Sequence, residues 1–217
     1  MVKRFEEAFG KYLALVPGQT AFAFSHTDTN DFCDPPEWAA RGGYPGSALR
    51  FHELATGRVF LPFPKTRDAM FGDPMWSEGR FWFLRGDFAA GTVTLFGYTP
   101  GETPEPVRVF PVGELELYNL RLLGETPHVV SCREVFHCYY PMRISFPVDN
   151  RETPTFLTED RIYLESWVEE GWDDEHDRAG DDYVYYNVVR VRDFAGRLLH
   201  EEKGYLFQGP DGGWYLG

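Results

Sequence analysis

Apolar, β-branched and aromatic residues fall in short runs along most of the chain, separated by Gly, Pro and acidic-Gly pairs. That pattern predicts short β-strands joined by tight turns. It is clearest between Asp73 and Val112. Met75 to Ser77 is a short apolar run, Glu78-Gly79 a turn, and Arg80 to Arg85 a strand in which Phe81 and Phe83 point one way and Trp82 and Leu84 the other. Apolar residues on both sides predict a strand covered on both faces. After a break from Gly86 to Gly91, the β-branched and aromatic run Thr92–Tyr98 turns through Thr99-Pro100-Gly101 into Val107–Val112. Together these segments predict an up-and-down meander.

The same plan recurs on either side. Tyr12–Val16, a Pro17-Gly18 turn and Thr20–His26 precede a long polar loop, Thr27 to Gly46, after which Ala48–Leu54 and Arg58–Phe63 form a hairpin across Ala55-Thr56-Gly57. A compact third unit runs Leu117–Leu123, His128–Cys132, Glu134–Tyr140 and Arg143–Val148. The fourth takes Thr155–Thr158, Arg161–Val168, an acidic detour from Glu169 to Asp182, Tyr183–Arg192 and Arg197–Glu202. Tyr205–Phe207 and Trp214–Leu216 begin a fifth unit that stops halfway. Val2–Phe9 has the length of an edge strand, although Phe5 and Phe9 also keep helical spacing. The last strands of the first three units end on Phe-Pro or Pro-Phe, a placement of proline that marks a sheet edge.

With Phe22, Phe81, Val129, Ile162 and Trp214 as equivalent second-strand positions, the units are 59, 48, 33 and 52 residues apart. These spacings bracket the length of a propeller blade. In this pattern the chain resembles β-propeller repeat proteins in general. The resemblance implies an all-β ring of small blades, five favoured over four, closed by N- and C-terminal strands that share the last blade. Closure would remove the sheet edges that an open array exposes. A β-sandwich is the alternative that regular short strands leave open.

Composition narrows the class of partner. A chain of 217 residues with 43% hydrophobic and 17% aromatic content is large enough for one domain with its own core. A net charge of −13 and the lack of any Lys/Arg cluster speak against nucleic acid and anionic membrane surfaces. Three cysteines at no framework spacing, a charged Val2–Gly10 where a secretory signal would be apolar, and no apolar run of membrane-spanning length predict a cytoplasmic protein.

Candidate chemistry falls in four places. Asp73-Pro74-Met75-Trp76-Ser77-Glu78-Gly79-Arg80-Phe81-Trp82-Phe83 is similar to the Asp-Pro opening of five-bladed glycoside hydrolases, which implies an active-site role for Asp73 in a glycosidase-like alternative. No positions match the other two carboxylates that such an enzyme uses. Glu169 to Asp182 carries enough hard oxygen donors to hold Ca²⁺, but without the ordered spacing of a calcium loop. Cys132, His137 and Cys138, with His128, are metal-ligand types. Adjacent strand residues point to opposite faces, however, so buried packing is the expectation for them.

The fourth place is topological. In a meander, the connection between second and third strands shares an end with the link to the next unit, so the long connections Thr27–Gly46 and Glu169–Asp182 gather on one face. That face is acidic with aromatics expected to be exposed: Trp38, Tyr44 and Trp172, beside Asp173, Asp174, Glu175 and Asp177. Long connections on a rigid scaffold are where binding sites concentrate. The chain therefore reads as a non-enzymatic binding or scaffolding module for a protein or a small polar or cationic ligand.

Overall fold

The structure, a computed structural model, describes residues 5, 12–27, 31–38, 41–173 and 175–217. It is all-β, built from five antiparallel sheets, each a meander in chain order. The first holds β1 (Ala14–Leu15), β2 (Phe22–His26), β3 (Leu49–Glu53) and β4 (Val59–Phe60), with one short helix, α1 (Asp34–Glu37), in the β2–β3 connection. The second holds β5 (Ala69–Phe71), β6 (Met75–Ser77), β7 (Arg80–Asp87), β8 (Thr92–Tyr98) and β9 (Glu105–Pro111). Both β5 and β6 pair with β7, so they are two halves of one inner strand interrupted at residues 72–74. The third has β10 (Arg121–Leu123), β11 (His128–Cys132), β12 (Val135–Tyr140) and β13 (Ile144–Pro147). The fourth has β14 (Thr153–Leu157), β15 (Ile162–Asp173), β16 (Arg178–Arg192) and β17 (Leu198–Lys203), and β18 (Leu206–Gln208) pairs with β19 (Trp214–Leu216) as a two-stranded fifth.

The β6–β7 hairpin shows how locally this is encoded. Glu78 and Gly79 both take positive φ, 53° and 76°, the backbone that a two-residue hairpin turn needs to match strand twist. Beyond the turn, β7 buries both of its faces, as its sequence predicts. Phe81 and Phe83 enter an aromatic core with Phe24, Phe51, Phe71, Phe96 and Tyr98, where the rings of Phe51 and Phe81 lie 4.6 Å apart. Trp82 and Leu84 enter a second core with Val93, Leu95 and Phe110 of their own sheet and Leu120, Leu122 and Val129 of the third. A third core joins Val130, Phe136 and Cys138 to Leu157, Ile162 and Leu164 of the fourth sheet. The sheets thus pack face to face in chain order, and each fully buried side chain contributes about 1.5–3 kcal/mol to holding its neighbours together. Four consecutive units and a fifth half-unit fit blade-like repeats.

The fifth sheet touches both ends of this series. Trp214 stacks on Phe156 at 4.7 Å and the Leu206 amide donates to Glu165 Oε1, which ties it to the fourth sheet. On its other side the Gly18 amide, in the first sheet's β1–β2 turn, donates to the Pro210 carbonyl. The contact is close enough that a Cβ on Gly212 would come within 2.9 Å of Gly18 Cα, so the turn between β18 and β19 has no room for a side chain there. The expected edge strand Val2–Phe9 lies outside the described residues apart from Phe5, whose ring stands edge-on to His52 at 5.3 Å.

Two connections differ from expectation. Thr27–Gly46 is not a free polar loop: Phe32 and Tyr44 are buried in the core shared by the second and third sheets, and the chain runs against the link into β5. Tyr44 and Asp68 exchange hydrogen bonds there, the Ser47 amide donates to Ala69, and a Cβ on Gly46 would collide with the Thr66 carbonyl at 1.9 Å. Glu169–Asp182 is not a loop either. It belongs to a ladder between β15 and β16 that runs to Trp172↔Ala179 and Asp173↔Arg178.

Candidate functional site

The long hairpin is an arm. β14 pairs with β15 only as far as Glu165, and β17 pairs with β16 only as far as Val188, with the Gly204 amide donating to the Asn187 carbonyl just beyond, so outward of Ser166 and Asn187 neither strand has a further partner strand among the described residues. Ser166 to Asp173 spans roughly 20 Å at the rise of a strand. None of the described residues of the arm between 167 and 187 is buried. A ladder still forms because Val, Tyr and Trp dominate it, residues that suit a pleated surface. Gly171 bulges at φ 75°, where a Cβ would meet the Asp182 carbonyl at 2.7 Å.

One side of the arm is aromatic. Trp167 stacks on Tyr185 at 6.0 Å, Trp172 meets Tyr183 edge-on at 5.9 Å, and the guanidinium of Arg151 lies 4.5 Å from the Trp167 ring at the base. The Tyr183 hydroxyl donates to Glu169, a bond that pushes the phenol up from its ordinary value. Trp172, Val184 and Tyr185 are exposed by 42%, 45% and 53%. The tip is acidic: Glu169, Glu170, Asp173, Glu175, Asp177, Asp181 and Asp182 stand against Arg178.

The predicted residues therefore separate. Trp172, Glu175 and Asp177 are exposed at the tip. Asp173 is half-buried and occupied, accepting the amides of Glu175 and His176 and pairing with the His176 ring at 2.9 Å, so it shapes the turn. Asp174 lies outside the described residues. Tyr44 corrects the expectation of exposure: it is fully buried, edge-on to a half-buried Trp38 at 6.1 Å, because the connection that carries both packs down on the second sheet. Cys132 and Cys138 are core residues whose thiols burial pushes up to about 11. Among the described residues no group of three acidic, His or Cys side chains is arranged to hold a metal ion.

A second site opens where the first three sheets meet. A cavity of about 480 Å³ is lined by His26, Asp31 and Phe32 of the first sheet and its connection, by Phe71, Gly72 and Asp73 at the interruption of the second sheet's inner strand, and by Asn119 to Leu123 along β10. Gly72 packs closely there, since a Cβ would come within 3.2 Å of the Phe32 ring and the ring would have to shift by a few tenths of an ångström. Asp73 is thrown clear of the ladder, 81% exposed, and one of its oxygens meets His26 Nε2 at 2.9 Å. The His26 side chain is only 10% exposed, and its Nδ1 has no partner among the described residues. Arg121 reaches from β10 to donate to the Pro154 carbonyl, while its buried Nε has no partner among them. Burial draws this guanidinium down from its ordinary value, against the upward pull of Cys132, Glu165 and Asp31. Of the carboxylates that a glycosidase would need, the lining supplies Asp73 and Asp31.

Asp73 was legible through its Asp-Pro context; His26 and Arg121 were not, because each sits in an ordinary strand pattern and only the packing of sheets brings them together. Comparison of the chain with protein-family models, with curated proteins and with solved structures finds no match.

Proposed function

We propose that the chain is a cytoplasmic, non-enzymatic binding or scaffolding module: a small five-bladed propeller whose arm takes an extended, basic segment of a partner protein. The reading rests on the arm itself. A pair of strands with both edges unpaired, one aromatic side and an acidic tip contributes little to its own fold, yet offers three kinds of recognition at once. Unpaired strand edges can accept an added strand, exposed Trp and Tyr faces hold Arg or Lys by cation–π contact at about 0.5–2 kcal/mol each, and the carboxylates raise the encounter rate with cations.

Propeller closure is part of the proposal. In this reading Val2–Phe9, which lies outside the described residues apart from Phe5, is the strand expected to complete the last blade. Two contacts support this: the Gly18–Pro210 hydrogen bond at one flank and the placement of Phe5 on His52.

The test is a titration of the protein with an Arg/Lys-rich peptide of alternating pattern, followed by tryptophan fluorescence, against a Glu-rich peptide of equal length. Saturable binding of the basic peptide, weakened at least about tenfold by Trp172→Ala or by Glu175→Gln with Asp177→Asn, is expected, the factor corresponding to 1.4 kcal/mol. Equal response to both peptides, or no effect of the substitutions, overturns the assignment.

A further inference from the structure

The cavity between the first three sheets holds charges that the arm does not use, and they are of both signs. At one place the half-buried Arg121 side chain has one nitrogen on the Pro154 carbonyl and a buried Nε without a partner among the described residues, and the carboxylates that act on it, Glu165 and Asp31, make no ion pair with it among them. A partly desolvated cation with an unpartnered buried N–H gains from a new acceptor, and a planar guanidinium matches a carboxylate with two parallel hydrogen bonds. At another place Asp73 stands 81% exposed in the lining, oriented by His26 through one oxygen and open at the rest of its carboxylate. The remaining wall is largely apolar, from Phe32, Phe71 and the leucines of β10.

These features discriminate among ligands. A simple anion would suit Arg121 but meet the carboxylates of Asp73 and Asp31. A simple cation would suit Asp73 but bury itself near a guanidinium. A molecule with both charges satisfies both ends, and about 480 Å³ falls within the usual size of small-molecule sites. We propose that this cavity binds a small zwitterion, a free amino acid or short peptide, with its carboxylate on Arg121 and its ammonium on Asp73. His26 is a positioning residue: buried to nine-tenths, it fixes the Asp73 carboxylate toward the cavity. The site is independent of the arm.

Calorimetric titration of the intact chain with the standard amino acids and with leucyl-leucine tests it, beside isovalerate, isopentylamine and inorganic phosphate as single-charge controls. Saturable binding by at least one zwitterion is expected. It should weaken by about tenfold or more, the factor that 1.4 kcal/mol represents, in Asp73→Asn and in Arg121→Gln. Asp73 is exposed, so Asp73→Asn keeps the test open should Arg121→Gln fail to fold. His26→Gln, which can still donate to Asp73, should bind more tightly than His26→Ala. A protein lacking the arm should bind the zwitterion unchanged. The proposal is overturned if no zwitterion binds, if a single-charge control binds as tightly, or if Asp73→Asn leaves affinity intact.

Discussion

Replacing Glu169 to Tyr185 with an Asn-Gly turn joins Val168 directly to Tyr186, its partner across the ladder, and removes the arm without touching the rest of the fourth sheet. The cost can be worked from contacts. None of the described residues in the deleted stretch is buried, so none of the described core is lost. The Arg151–Trp167 contact and the Lys203–Tyr186 contact both survive. What disappears across the cut is the stacking of Trp167 on Tyr185, at about 0.5–1.5 kcal/mol for an aromatic pair. The remaining interactions are internal to a hairpin that is marginal alone. A net loss near 1 kcal/mol lowers Tm by about 2–4 °C for a chain of this size. Thermal melts followed by near-ultraviolet circular dichroism measure it directly. A fall above about 10 °C, several kcal/mol on the same scale, would mean that the arm is part of the folding unit and that its exposure is not there for a partner.

Other outcomes follow from the same structure. Glu152 has a fully buried side chain that accepts from Arg192 at 2.7 Å and from the Asp149 amide, with Arg190 at 3.5 Å. Glu152→Ala should cost about 2–4 kcal/mol in denaturant unfolding, somewhat under the value for a fully buried pair because Arg190 and Arg192 stay about one-fifth exposed. Removing residues 1–9 should lower stability by at least the Phe5–His52 ring contact, about 0.5–1.5 kcal/mol for an aromatic pair; an unchanged Tm contradicts closure. Burial holds His128 below its ordinary value, so the unfolded chain takes up its proton first as pH falls. Its contribution to stability is whole above about pH 6.5 and is lost progressively below that, towards the depressed folded value. Tm measured against pH should show this decline, and His128→Gln should flatten it.

How much of this was legible depended on whether a residue's role is local. The strand pattern of Arg80–Arg85, the Glu78-Gly79 turn and the spans His128–Cys132 and Trp214–Leu216 follow from alternation and turn chemistry, and the structure has them. The acidic stretch 169–182 reads as a loop because its carboxylates disfavour strand. It is a ladder because Trp172, Tyr183 and Tyr185 pair across it and Gly171 absorbs the extra residue as a bulge. Tyr44 reads as exposed because its neighbours are polar and glycine-rich, yet those glycines let the backbone lie against residues 66–68 and carry Tyr44 inward. The inter-sheet cavity could not be read at all: His26, Asp73 and Arg121 are distant in sequence, and their meeting depends on how three sheets pack.

The most direct test of the central claim is a map of where the basic partner touches. A photoreactive residue placed at Trp172 or Tyr185 on the arm, or at Glu102 or Glu78 in the short turns of the opposite end, is irradiated with an Arg/Lys-rich peptide bound, and the cross-linked peptide is read by mass spectrometry. Cross-links at Trp172 and Tyr185 that vanish at high salt, with none at Glu102 or Glu78, are the predicted result. Cross-links confined to the Glu102 and Glu78 end would contradict it.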